Sequence, residues 1–147
     1  MILHAYTDGA SRGNPGESGI GMIVQTPEGG LLLSESGYIG RTTNNIAEYT
    51  AVLTLLDRVR PMDCSRLIIH SDSELMVRQM TGAYKVKNGG LKECHARARA
   101  AIAALPFPVE FRHVPREENR GADRLANEGI DSRTPLPAGP QVSFTDQ

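Results

Sequence analysis

The feature that most restricts how this chain can fold is a change in the period of its apolar residues near position 43. Before that point the pattern is that of strands. From Ile2 to Asp8, alternation puts Ile2, His4, Tyr6 and Asp8 on one face and Leu3, Ala5 and Thr7 on the other, with Asp8 at the carboxyl end. The stretch 9–19 has turn composition (Gly9, Gly13, Pro15, Gly16, Gly19) and leads into two β-like runs, 20–25 and 31–38, joined through Pro27, Gly29 and Gly30. After a cap at Thr43 or Asn44 the period becomes helical, with Val52, Leu55, Leu56 and Val59 in line ahead of Pro61. A short strand, 67–70, runs into Ser71-Asp72-Ser73. Ser73 caps a second helix with Leu75, Met76 and Met80 inward and Gly82 as its stop. Leu91, Cys94, Ala98, Ala101, Ile102 and Leu105 trace a third helix up to Pro106. A last strand, 109–114, precedes a helix capped by Asn119 and carrying Ala122, Leu125 and Ala126.

The order βββαβααβα, without internal repeats, predicts an α/β fold built on a five-stranded mixed sheet. Three antiparallel strands are extended by two parallel additions reached through helical crossovers, and about four helices flank the sheet. A length of 147 residues with 39% hydrophobic content suits one such domain over residues 1–130. Residues 131–147 include Pro135, Pro137 and Pro140, show little periodicity and read as a flexible tail.

Several function classes drop out. No run approaches the ~20 apolar residues of a membrane span, and the start MILHAYTDG lacks the regions of a secretory signal. The expectation is a soluble, cytoplasmic monomer with no membrane association and no obligatory protein partner. Cys64 and Cys94 lack CxxC or histidine-ligand spacing and read as small core residues, not a disulfide framework or a zinc site. His4, His70 and His95 show no metal-ligand pairing. With 16 Lys and Arg against 17 Asp and Glu, total charge gives no support to nucleic-acid binding, which would need a local basic surface.

Four carboxylates stand where surface acids would not. Glu48 falls in line with Val52, Leu55 and Val59 on the buried stripe of the first helix. Asp8 and Asp72 each end an apolar strand, where ligands collect in open α/β sheets. Asp123 sits beside Ala122 and Leu125 at the start of the last helix. Taken singly, each reads as an ordinary turn or helix-start acid. Should right-handed crossovers bring the strands of Asp8 and Asp72 together, two such charges at ~4 Å repel by roughly 4 kcal/mol at an effective dielectric near 20. Either their pKa values rise or a cation neutralises them. A set of oxygen donors without clustered His or Cys favours a hard ion, Mg²⁺ or Mn²⁺. Around the same corner, Ser11 and Asn14 in the glycine-rich stretch and Arg41-Thr42-Thr43-Asn44-Asn45 before Glu48 offer donors suited to phosphates and sugar hydroxyls. By themselves these segments read first as an ordinary glycine turn and an N-cap cluster.

In order and spacing, TDGASRGNPG, TNNIAEY, IIHSDSE and the pair HVPREEN and ADRLANEG resemble the signature blocks of the ribonuclease HI family, the type 1 ribonucleases H, over about residues 1–130. The resemblance implies the ribonuclease H fold and endonucleolytic cleavage of RNA in RNA–DNA hybrids, with 5′-phosphate and 3′-hydroxyl products. It matches the family's acidic set to Asp8, Glu48, Asp72 and Asp123. Asp8, Glu48 and Asp72 would hold one Mg²⁺ near the attacking water, and Asp8 and Asp123 a second near the leaving 3′ oxygen, with Mn²⁺ a substitute. It also implies hybrid minor-groove contacts by Asn14, Asn44 and Asn45, and a DNA-phosphate pocket of Arg41 and Thr43 with Asn88.

Three departures from the family pattern matter. The loop histidine usual after the last strand is missing: Val114-Pro115 is followed by Arg116-Glu117-Glu118-Asn119, with His113 reading as a strand residue and Arg116 or Glu117 as its replacement. There is no tryptophan, which leaves Tyr84 as the candidate aromatic of the DNA channel. Only about eight residues separate the second and third helices, too few for an inserted basic handle. Lys85, Lys87, Lys92, Arg97 and Arg99 make a weaker basic face, from which modest, salt-sensitive hybrid affinity is expected. One rival drops out and one remains. An aspartate-nucleophile phosphatase, faintly resembled by Tyr6 to Ala10, needs an acid where Ala10 stands. The alternative is a catalytically weak or inactive hybrid-binding domain of the same fold, since fold alone does not confer catalysis.

Overall fold

The computed structural model describes residues 1–136; positions 137–147, most of the expected tail, lie outside the described residues. The elements are β1 (Ile2–Ser11), β2 (Gly16–Gln25), β3 (Leu31–Thr42), α1 (Asn44–Val59), β4 (Arg66–Ser71), α2 (Glu74–Met80), α3 (Gly89–Ala103), β5 (Val109–His113), a 3-10 turn (Arg116–Glu118) and α4 (Arg120–Ser132). The sheet order is β3-β2-β1-β4-β5, with β1, β2 and β3 antiparallel and β4 and β5 added in parallel. That is the mixed α/β sheet the periodicity implies.

Helices start where short polar side chains occupy the first orphan N–H groups. Thr43, Ser73 and Asn88 cap α1, α2 and α3, accepting from the N–H of Ile46, Met76 and Leu91. The expected cap on α4 is different: Asn119 turns its side chain inward, and its Nδ2 donates to the Thr7 carbonyl at 2.9 Å. Leu3, Ala5, Leu67 and Ile69 of the sheet pack with Val52, Leu55, Leu56 and Val59 of α1, all at 2% exposure or less, so the apolar stripe of α1 forms the centre of the core. On α2 the buried set is Met76, Val77, Gln79 and Met80; Leu75 is only half-buried, because the short helix offers one narrow face to the core. Cys94 is buried and Cys64 partly so, and the two are not joined in a disulfide.

The glycine-rich stretch is mostly strand, not turn. β1 runs three residues past Asp8, pairing Ala10 with Gly19 and Ser11 with Ser18. Its glycines serve close approach on both faces of the sheet. A Cβ on Gly9 would lie 2.3 Å from the Ala47 carbonyl carbon of α1 and one on Gly19 2.3 Å from the Ala126 oxygen of α4; just past the stretch, one on Gly21 would lie 2.2 Å from the Ala122 oxygen. Beyond residue 130, α4 continues to Ser132, Thr134 accepts from the Tyr38 N–H at 2.7 Å, and Leu136 lies against Gly37. Arg133, left-handed at φ 50°, stacks over the Tyr38 ring and pairs with Glu17 at 3.3 Å, which ties the end of α4 to β2 and β3. On the sheet face that carries α4, His70 stacks on Tyr6, with His4 Nδ1 3.1 Å from His70 Nε2. The two rings pack and hydrogen-bond with each other, and burial, with His4 and Arg112 alongside, pushes the His70 imidazole down to about 4.

Two substitutions test this packing. Leu55→Ala is expected to lower unfolding free energy by about 2–5 kcal/mol in urea titrations. Gly21→Ala is expected to cost roughly 1–3 kcal/mol by forcing α4 off the sheet.

Candidate active site

The parallel pairing of β1 with β4 ends at Thr7↔Ser71, so Asp8 and Asp72 are the first residues beyond it, where the two backbones part. Asp8 lies at the end of this pairing, not at the end of its own strand. Glu48 comes in from α1, one turn past the Thr43 cap, and its Oε1 accepts from the Gly9 N–H at 2.9 Å. Only a glycine at position 9 permits that approach, since a side chain there would collide with the Ala47–Glu48 peptide. One oxygen from each of Asp8, Glu48 and Asp72 lies within 4.8 Å of the others. Asp123, in the first turn of α4, hydrogen-bonds the Asp8 carboxyl from the opposite side.

Burial and mutual repulsion govern this cluster. Asp8 and Glu48 are 4% and 5% exposed. Burial, then the Glu48 and Asp72 charges, push the Asp8 carboxyl far above the usual carboxylate range. Glu48 is raised by burial and by Asp72, against the Gly9 N–H and the Arg116 guanidinium, which hold it down. The donor set consists of oxygens, largely buried, convergent and mutually repulsive. That is the chemistry of a site for a hard divalent cation and fits the family's metal requirement.

The remaining candidates fall into three groups. Asn14 lies in the β1–β2 loop, where its Oδ1 accepts from the Asn44 N–H at 3.1 Å, so loop and helix start form one polar rim with exposed Asn45. Arg41 is exposed near the end of β3 opposite Glu17, and Thr43 and Asn88 are helix caps. A Cβ on Gly90, in the first turn of α3, would lie 3.6 Å from Ile46 in the first turn of α1, so the two helix starts adjoin. Arg116 and Glu117 are exposed on the 3-10 turn, and of these Arg116 acts on Glu48. His113 ends β5 opposite Ser71 and is exposed. Tyr84 is 47% exposed with the Arg78 guanidinium over its ring. Sequence reasoning missed two residues. Asn119 is 1% exposed and ties the start of α4 to the backbone just before Asp8. Asn127 donates from Nδ2 to Asp123 Oδ1 at 3.3 Å. The i,i+4 spacing of Asp123 and Asn127 was the available signal for the second.

The raised acids make a pH prediction for metal-free protein. Folded Asp8 and Glu48 hold their protons to about 10 and about 8, against 3.8 and 4.5 in the unfolded chain. Their contribution is full below the unfolded values and is lost as pH rises through the folded ones. In chelator, urea stability is therefore expected to fall from pH 5 to pH 9, with a shallower fall in Asp8→Asn and recovery on adding divalent cation. Parallel slopes in the two proteins would contradict the cluster.

A family model described as reverse transcriptase-like matches residues 6–129. Ribonuclease HI of Halobacterium salinarum is 38% identical over 129 residues, which is 88% of this chain and 64% of that protein. The chain thus spans just under two thirds of that relative, and only 36% of a bifunctional protein of Mycobacterium tuberculosis that is 40% identical over 133 residues. Ribonuclease H of Ruegeria pomeroyi is 31% identical, with 92% of this chain matched to 97% of it. Among solved structures, LC11-RNase H1 in complex with an RNA/DNA hybrid superposes at TM-score 0.85 with 41% identity, covering 89% of this chain and 98% of that one. The match across most of the chain, over a sheet order and acidic corner of the kind the motifs call for, places it in the ribonuclease HI family, the type 1 ribonucleases H.

Proposed function

We propose that this protein is an endoribonuclease that hydrolyses the RNA strand of RNA–DNA hybrids. The observation that carries the reading is the convergence of Asp8, Glu48 and Asp72 within 4.8 Å of one another at the strand ends, joined by Asp123. A family neighbour with 41% identity has been crystallised with an RNA/DNA hybrid, which supports the same substrate here.

In this reading Asp8, Glu48 and Asp72 would hold one Mg²⁺, and Asp8 with Asp123 a second, Mn²⁺ being a substitute. Two such ions supply the charge that acidifies the attacking water and steadies the departing 3′ oxygen. The water oxygen would bond to phosphorus as the bond to the 3′ oxygen breaks, a proton of the water passing to solvent and one from solvent reaching the 3′ oxygen, leaving 5′-phosphate and 3′-hydroxyl ends. The protein's own groups set the register. Asn14, Asn44 and Asn45 face the minor groove, where 2′-hydroxyls mark the RNA strand. Thr43 Oγ1 and Asn88 Oδ1 are spent as acceptors of helix N–H groups, which leaves the Thr43 hydroxyl proton and the Asn88 amide protons free to donate. With Arg41 they suit a DNA phosphate. Arg116, beside Glu48, adds a positive charge where the family's loop histidine is missing, and Glu117 adjoins it on the same turn.

The test is incubation with labelled RNA–DNA hybrid, duplex RNA and duplex DNA, with Mg²⁺, Mn²⁺ or chelator. Cleavage is expected only of the RNA in the hybrid and only with metal, and Asp8→Asn or Asp72→Asn should abolish it while the far-ultraviolet spectrum is retained. Metal-independent binding without cleavage would favour a hybrid-binding domain instead. Arg41→Ala is expected to raise KM, with kcat nearly unchanged, and to lower the salt slope of binding by about one. His113→Ala is expected to keep substantial activity.

A further inference from the structure

The loop that carries Asn14 is strapped to α4 by a side-chain relay that ends on a carboxylate of the acidic corner. Arg12 opens this loop, its N–H bonded to the Glu17 carbonyl at 2.8 Å. Its guanidinium lies along α4: Nη1 pairs with Asp131 Oδ1 at 3.0 Å, and Nη2 donates to Asn127 Oδ1 at 2.9 Å. Because the Asn127 oxygen faces a cation that can only donate, its amide nitrogen must face the other way. That nitrogen donates to Asp123 Oδ1 at 3.3 Å and to the Asp123 carbonyl at 3.0 Å. Arg12 thus sets the orientation of an amide, and the amide sets the rotamer of an acid.

Asp123 needs such a restraint. Its carboxylate faces Asp8, and its charge adds to those that repel one another around Asp8 and Glu48. Unlike Glu48, which is fixed by the Gly9 N–H, Asp123 is half-buried at the rim. An unrestrained aspartate there would swing toward solvent. A donor one helical turn away stabilises the inward arrangement without adding negative charge to the corner.

We infer that Asn127 is a positioning residue for Asp123, and that Arg12, by orienting Asn127, couples the Asn14 loop to the metal-binding corner. The inference rests on the function proposed above. It predicts a loss confined to metal use and turnover. Alanine is the stronger helix former, so Asn127→Ala should leave the melting temperature in chelator unchanged or higher.

The experiment compares wild type, Asn127→Ala, Asn127→Asp, Arg12→Ala and Arg12→Ala/Asn127→Ala. The readouts are the Mg²⁺-induced rise in melting temperature, the Mg²⁺ midpoint of hybrid cleavage, and kcat and KM at saturating Mg²⁺. For Asn127→Ala the expected result is a midpoint shifted upward by about tenfold, kcat lowered by about tenfold or more, KM within twofold, and a smaller Mg²⁺-induced melting shift. Asn127→Asp, which sets a carboxylate against Asp123, should be worse than alanine. Arg12→Ala should have the same signature in weaker form and add little to Asn127→Ala. An Asn127→Ala protein matching wild type in midpoint, kcat and melting shift would overturn the inference while leaving the proposed function intact, as would additive effects in the double variant. A wild-type protein that binds Mg²⁺ but cleaves no hybrid would sink the function, and the melting shift would still decide whether Asn127 acts on the metal corner.

Discussion

Repulsion among four carboxylates is the constraint that the rest of the structure answers to. Left to themselves, Asp8, Glu48, Asp72 and Asp123 would spread apart, because each gains by ionising in water and loses by ionising beside the others. Each is held from a different element: β1, α1, the end of β4 and α4. The rigid pairing of β1 with β4 fixes two of them, and packing of one helix on each sheet face fixes the other two. Gly9 and Gly21 let those helices come close enough, which makes glycine at these positions a requirement of the site as much as of the fold.

Stability and function are therefore opposed at this corner. The core beneath it, with the α1 stripe against Leu3, Ala5, Leu67 and Ile69, supplies the apolar burial that lets charges be held against their preference. Asn119 has the same logic on a smaller scale. A residue that would ordinarily cap its helix instead spends its amide on the Thr7 carbonyl, and its Oδ1 is left buried without a partner. That cost buys a fixed distance between the start of α4 and the backbone of Asp8.

Near-neutral total charge does not argue against the hybrid substrate proposed above. Acids concentrate at one corner and in pairs with arginine across the surface, as in Arg58 with Glu35 and Arg97 with Glu93. Such pairing cancels charge in the sum while leaving Arg41 and the donors at two helix starts available to an anion. The metal binding and phosphate recognition proposed above thus need no excess of basic residues.

Much of this was legible along the chain. Strand alternation, the α1 stripe that includes Glu48, and the caps at Thr43 and Ser73 all arise from forces acting within about four residues. The glycine-rich stretch holds a turn only at its middle, where Gly13 and Gly16 sit; its two ends were misread because Gly9 and Gly19 answer to helices that lie elsewhere in the sequence. The Asn119 cap was misread because a tertiary acceptor, the Thr7 carbonyl, claims its amide and turns its side chain away from the N–H donors of the helix start. Local chemistry chose the elements and the residue types at the corner. Which groups meet was decided by the packed fold: Glu48 meets the Gly9 backbone 39 positions away, Asn119 meets Thr7 across 112, and Arg12 meets Asn127 across 115. No local propensity encodes such distances; they exist only once the sheet register and the two helix layers have closed around a common core.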